Sequence, residues 1–122
     1  MSQPAPQHHG INYIEFTSTD LERSKRFYEK VFGWNFQEYG PDYISFDPDS
    51  AGIAGGFARC GLRETPPSFA PLVVLYSKDL KATEAAILTH GGDIVVATFE
   101  FPGGRRFHFN DGCGNVLAVW SE

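Results

Sequence analysis

The chain has 122 residues, enough for one domain with a real core and too few for two independent ones. Hydrophobic residues make up 42% of it and aromatics 15%, eleven of them Phe, a composition that excludes a disordered chain. A formal charge of -5 and a pI near 5.3, with Lys and Arg scattered rather than clustered, exclude the basic footprint of a nucleic-acid binder, and no run of eighteen apolar residues offers a membrane span.

The first ten residues, MSQPAPQHHG, carry no basic region followed by an apolar run and read as a flexible tail on a soluble, cytoplasmic protein. His8 and His9 read as part of that tail rather than as metal ligands. From Asn12 to Thr17 the residues alternate, with Ile14 and Phe16 on one face and Tyr13 and Glu15 on the other, the period of a half-buried strand. Thr19 stands three residues before Glu22, a capping box that predicts a helix start at that point. Leu21, Phe27, Tyr28, Val31 and Phe32 give the helix an apolar stripe, and Gly33 supplies a left-handed stop. Trp34 to Tyr39, Tyr43 to Asp47 and Gly52 to Ala58 then read as strands, separated by Gly-Pro-Asp and Asp-Pro-Asp-Ser turns.

The proline-containing stretch 60–70 has little periodicity and reads as a connector. After it the order repeats. Leu72 to Tyr76 is a predicted strand and Asp79 to His90 a helix with Leu80, Ala86 and Ile87 inward and Gly91-Gly92 as its stop. His90, near the helix end, reads as a partner of the last carbonyls. Asp93 to Phe101, Arg105 to Asn110 and Asn115 to Trp120 are predicted strands. Laying Asp20 on Asp79 and Gly33 on Gly92 gives one offset, 59 residues in both cases. A shared offset for a strand, a helix start and a helix stop predicts two copies of one βαβββ unit. The chain is thus expected to be a tail over 1–10 and a single α+β domain over 11–122, with module one at 11–59, a connector at 60–70 and module two at 71–122. Cys60 and Cys113 are too few and too far apart for a disulfide framework or a zinc pattern and read as structural thiols.

Paired βαβββ units with the helix start TDLERSKRFYEKVFGW and the ending FHFNDGCGNVLAVW resemble the vicinal oxygen chelate superfamily of glyoxalase, bleomycin-resistance and extradiol-dioxygenase relatives. The resemblance runs from Ile11 to Ser121. It implies a curved mixed sheet around a cleft, and a homodimer. It also implies where a metal would be held, since metal-using members place His, Gln or Glu on the cleft side of the first and last strand of each module. Those places fall on Tyr13, on Gly55 or Gly56, on Leu72 and on Ala118, and aliphatic or absent side chains donate nothing to a divalent cation. No metal and no cofactor is therefore expected.

Strand parity lists the cleft lining as Tyr13 and Glu15, then Leu72, Val74 and Tyr76, then Val116, Ala118 and Trp120, with Arg106, His108 and Asn110 on the strand between. Ile14, Phe16, Val73, Leu75, Phe107, Phe109, Leu117 and Val119 take the opposite parity and are expected in the core. Each candidate has two readings. Glu15 is a general base, or a carboxylate that pairs with Arg106 or faces solvent. His108 shuttles protons or reads a ligand atom, or is a hydrogen-bonded strand histidine. Arg105 and Arg106 hold a substrate carboxylate, or are solvated beside a turn. Tyr13, Tyr76 and Trp120 stack a planar ligand, or fill a core or a dimer interface. Cys113 is a reactive thiol or an ordinary one.

The expected function is that of a small-molecule binding protein, sequestering a hydrophobic or aromatic compound in a metal-free cleft lined by Tyr13, Leu72, Val74, Tyr76, Arg106, Ala118 and Trp120. The alternative is a glyoxalase-type lyase or isomerase, either metal-dependent or using Glu15 and His108 for acid-base chemistry. A third reading makes the chain a regulatory or structural partner with a vestigial cleft. Beyond the ligand, the partner expected is a second copy of the chain, with neither nucleic acid nor membrane.

Overall fold

The computed structural model describes residues 8–9, 11–60 and 71–122, and its backbone contacts divide the chain into two compact units on either side of residues 64 and 65. The first unit runs β1 (Tyr13–Ser18), α1 (Leu21–Phe32), β2 (Phe36–Glu38), β3 (Tyr43–Phe46), α2 (Pro48–Ala51) and β4 (Ala54–Arg59). The second runs β5 (Val74–Tyr76), α3 (Leu80–Thr89), β6 (Asp93–Phe101), β7 (Gly104–Asn110) and β8 (Val116–Ser121). Each forms a four-stranded mixed sheet, ordered β1-β4-β3-β2 in one and β5-β8-β7-β6 in the other, in which the first strand pairs parallel with the last. The architecture is the expected α+β one. The connector predicted at 60–70 lies, but for Cys60, outside the described residues, as does most of the predicted tail.

Both helices start by the same device. Asp20 caps α1 by accepting the Arg23 N–H (3.2 Å), and Asp79 caps α3 by accepting the Ala82 N–H (3.1 Å). Two residues before each cap, a serine Oγ accepts the cap's own N–H at 3.0 Å, Ser18 for Asp20 and Ser77 for Asp79. Each of those hydroxyls also meets a hydroxyl one turn into the helix, Ser24 at 2.7 Å and Thr83 at 2.8 Å. The capping residue of α1 is therefore Asp20 and not Thr19: Asp20 has the extended backbone of a cap (φ -153) and its carboxylate accepts the Arg23 N–H. Gly33, at φ +73, ends α1 as expected, its N–H returning to the Glu29 carbonyl.

The Asp-Pro-Asp-Ser segment predicted as a turn is the one-turn helix α2, with Asp47 accepting the Ser50 N–H at 2.8 Å and Pro48 at its first position, where the missing amide costs nothing. Several strands are also shorter than predicted. β2 begins at Phe36 because Trp34 turns inward, its ring 4.8 Å from Tyr28 and 4.6 Å from Phe46. β5 begins at Val74, which leaves Leu72 in the segment before it.

The first unit's core lies between α1 and its sheet and is almost wholly aromatic. Phe57 is fully buried, stacked on Phe16 at 5.1 Å and beside Tyr28 at 5.1 Å. Burying a ring of this size contributes roughly 2 kcal/mol or more by area. In the second unit Phe107, Phe109, Leu117, Val119 and Ile87 are fully buried, as alternation along β7 and β8 requires.

Candidate functional site

In the first unit the register aligns Glu15 with Gly56 and Gly56 with Ser45, on the sheet face turned away from α1. Gly55 points the other way, against Phe46, so Gly56 is the glycine of β4 on the face of Tyr13 and Glu15. A Cβ at position 56 would meet Tyr43 Oη at 2.5 Å and the Ile44 carbonyl at 2.6 Å. The absence of a side chain there lets the Tyr43 ring lie across β4, and its hydroxyl reaches the Tyr13 hydroxyl at 2.5 Å and the Glu15 carboxylate. Burial first, then the hydrogen bonds with Tyr13 and Glu15, push the Tyr43 phenol above its ordinary value near 10. Tyr13 is 47% exposed, which removes core filling as its role.

In the second unit the face turned away from α3 carries two cross-strand rows. Val74, Ala118, His108 and Val96 form one; Tyr76, Trp120, Arg106 and Phe99 form the other. Tyr76 and Trp120 meet edge-on at 5.1 Å, and Phe101 approaches Trp120 at 6.3 Å. The Arg106 guanidinium lies over two rings, 5.3 Å from the centre of Phe99 and 5.5 Å from that of Phe101. Arg106 Nε and His108 Nε2 are buried and find no hydrogen-bond partner among the described residues. Burial and the neighbouring Arg106 charge hold the His108 imidazole below its ordinary value of 6.5, so it is neutral at pH 7. Tyr76, half exposed, donates to Glu122 Oε1 at 2.5 Å, which raises the phenol and lowers the carboxyl. Arg105 reaches the Glu122 carbonyl at 3.5 Å.

The structure thus sets Val74, Tyr76, Arg106, His108, Ala118 and Trp120 on one face of one sheet, and Tyr13 and Glu15 on a face of the other. Leu72 is exposed ahead of β5, where the neighbouring Val73 carbonyl accepts the Ala118 N–H at 3.0 Å. Alternation alone did not reveal Tyr43, Phe99 and Phe101. Register irregularities on either side of Val96 break the alternation of β6, and Tyr43 enters only because a neighbouring strand has a glycine. Cys113 is fully buried. A small hollow that the described residues do form lies elsewhere, bounded by Leu21, Lys25, Glu38 and Pro41, with the Lys25–Glu38 ion pair (3.1 Å) along it.

A family model described as the Glyoxalase/Bleomycin resistance protein/Dioxygenase superfamily matches residues 10–119. The chain belongs to this superfamily. A glyoxylase-like domain-containing protein of Didymella fabae is 32% identical to it, over 92% of this chain and 93% of the relative. Among solved structures, TnmS3, an antibiotic binding protein from Streptomyces sp. CB03234, superposes with a TM-score of 0.70 at 22% identity, over 92% of this chain and 94% of the other. The fosfomycin resistance protein FosX from Mesorhizobium loti gives 0.71 at 18% identity, over 93% and 92%. These two likenesses establish the superfamily's fold.

The donor set does not fit the cation that metal-using members of the superfamily hold. The resemblance assigns their ligand positions to Tyr13, Gly55 or Gly56, Leu72 and Ala118, of which only the Tyr13 phenol offers a side-chain oxygen, hydrogen-bonded to Tyr43. Among the described residues no group of three or more His, Cys, Asp or Glu is placed to hold a metal.

Proposed function

We propose that the protein binds a planar, hydrophobic or aromatic small molecule, without a metal, on the second unit's face around Trp120. The observation that carries this is the chain of rings Tyr76, Trp120 and Phe101, with Phe99 and Phe101 under one guanidinium and Val74 and Ala118 beside them: mostly apolar surface with a few convergent polar atoms. The antibiotic-binding and resistance roles of TnmS3 and FosX support it. Leu72 completes the residues of this unit assigned to the ligand. A homodimer is part of the reading, since β1 and β2, and β5 and β6, are the edge strands of their sheets. The proposed location is the cytoplasm; among the described residues no helix is long and apolar enough to cross a membrane.

The test is a thermal-shift screen with planar aromatic compounds on protein purified without chelator, followed by titration of the hits on Trp120→Ala. A melting point that rises with ligand concentration in the parent and not in the variant is the expected result. No shift with any compound overturns the proposal, and a metal near one equivalent per chain overturns its metal-free part. A second reading, acid-base chemistry by Glu15 and His108, is favoured by the neutral state of the His108 imidazole, which can accept a proton near pH 7. Loss of turnover in both Glu15→Gln and His108→Ala, with ligand binding retained, would select it.

A further inference from the structure

Arg106 and His108 stand two residues apart on β7 and point to the same face. Phe99 and Phe101 offer their π faces to the guanidinium, and among the described residues its Nε–H has no acceptor. The described ion pairs join Lys25 to Glu38, Arg26 to Glu22 and Arg59 to Asp42, and none of them takes up Arg106. His108 Nε2 is in the same condition. A buried donor or acceptor left unmade costs about 1–3 kcal/mol, more when charged, so two such atoms on one face are expensive to keep. They sit beside Tyr76 and Trp120, whose edge-on pair bounds the same face.

From this juxtaposition we infer that the ligand is a planar aromatic carboxylate, its ring against Trp120 and Phe99 and its carboxylate oxygens accepting from Arg106 Nε–H and His108 Nε2–H. The inference rests on the small-molecule reading above and adds the class of ligand. A permanent cation that finds no carboxylate partner among the described residues calls for an anion, and a fixed guanidinium edge beside an imidazole N–H offers two donors to one planar group. His108 takes the Nε2–H tautomer in the bound state, with Nδ1 unprotonated. The chain's formal charge of -5 repels an anion at long range, so its capture depends on this local pair rather than on steering.

The probes are 2-naphthoate and its neutral isostere 2-naphthamide, titrated into the full chain by calorimetry and by quenching of tryptophan fluorescence. The parent should bind naphthoate about 10- to 100-fold more tightly than naphthamide, and Arg106→Met should abolish that preference. His108→Leu should reduce the preference by a smaller factor. Equal binding of the two compounds by the parent overturns this inference alone and leaves aromatic binding standing. Binding of neither, with no shift in the wider screen, overturns both. If Arg106→Met loses its native circular dichroism, Arg106→Lys replaces it: the amine keeps the charge but not the Nε–H edge, and an undiminished preference in that variant also contradicts the assignment.

Discussion

Asp111 organises the loop between β7 and β8, the two strands that carry Arg106, His108, Ala118 and Trp120. It is 1% exposed, and its carboxylate accepts three hydrogen bonds: Oδ1 from the N–H groups of Cys113 (2.8 Å) and Asn115 (3.1 Å), and Oδ2 from Asn115 Nδ2 (3.0 Å). Asp111→Ala removes all three hydrogen bonds at once. The Cys113 amide belongs to a residue itself 1% exposed, so water cannot replace the lost partner. Hydrogen bonds to a charged acceptor contribute about 1.5–3 kcal/mol each, but three within one network are not additive, so the loss should be about 3–4 kcal/mol. Asp111→Asn keeps Oδ1 and loses mainly the Asn115 side-chain contact, where two amide groups would face donor to donor; about 1.5 kcal/mol is expected. For a chain of this length those losses lower Tm by roughly 10–15 °C and roughly 5 °C. The assay is thermal unfolding by circular dichroism, with urea titration to verify that the m-value is unchanged. A fall of less than about 3 °C in Asp111→Ala, or equal falls in the two variants, would refute the assignment of the carboxylate as the loop's organiser.

Three further outcomes follow from the geometry. The folded His108 is held below its ordinary value of 6.5, so the unfolded chain takes up that proton first; stability from this group is complete above about pH 6.5 and is lost as pH falls further. His108→Asn should flatten that limb when urea midpoints at about pH 7.5 and about pH 5.5 are compared, and an unchanged slope contradicts the burial argument. Asp20→Ala and Asp79→Ala should each cost about 1 kcal/mol, and about 2 kcal/mol together because the caps lie on different helices with no shared partner; strong coupling between them would be unexpected. Gly56→Ala should cost about 1–3 kcal/mol through collision with Tyr43 and the Ile44 carbonyl, and Tyr43→Ala in the same chain should recover only part of it, because the carbonyl remains. Full recovery would show that the side chain alone sets the limit.

The features most legible in the sequence were those fixed by local chemistry. Asp20 and Asp79, set 59 residues apart, mark the two helix starts, and Gly33 ends α1 where a positive φ is required. Alternation along β7 and β8 put Phe107, Phe109, Leu117 and Val119 in the core. Features decided by geometry between elements were harder to read. Thr19 and Asp20 both suit a helix cap by composition, and the backbone path into α1 chose the second. Asp-Pro-Asp-Ser has the residues of a turn and equally those of a capped single helical turn. For the candidate site, Tyr76, Trp120 and Arg106 followed from parity, whereas the rings that hold Arg106 come from β6, where register shifts defeat a period of two. The reach of Tyr43 to Tyr13 required knowing which residue lies beneath the ring.

That residue also constrains how the chain can change. A histidine or glutamate substituted at position 56 would have to occupy space that the Tyr43 ring and the Ile44 carbonyl already fill, the second of them backbone that no neighbouring side-chain replacement can move aside. Any larger side chain at this point of β4 therefore destabilises the first unit by itself, and replacing Tyr43 relieves only part of the collision.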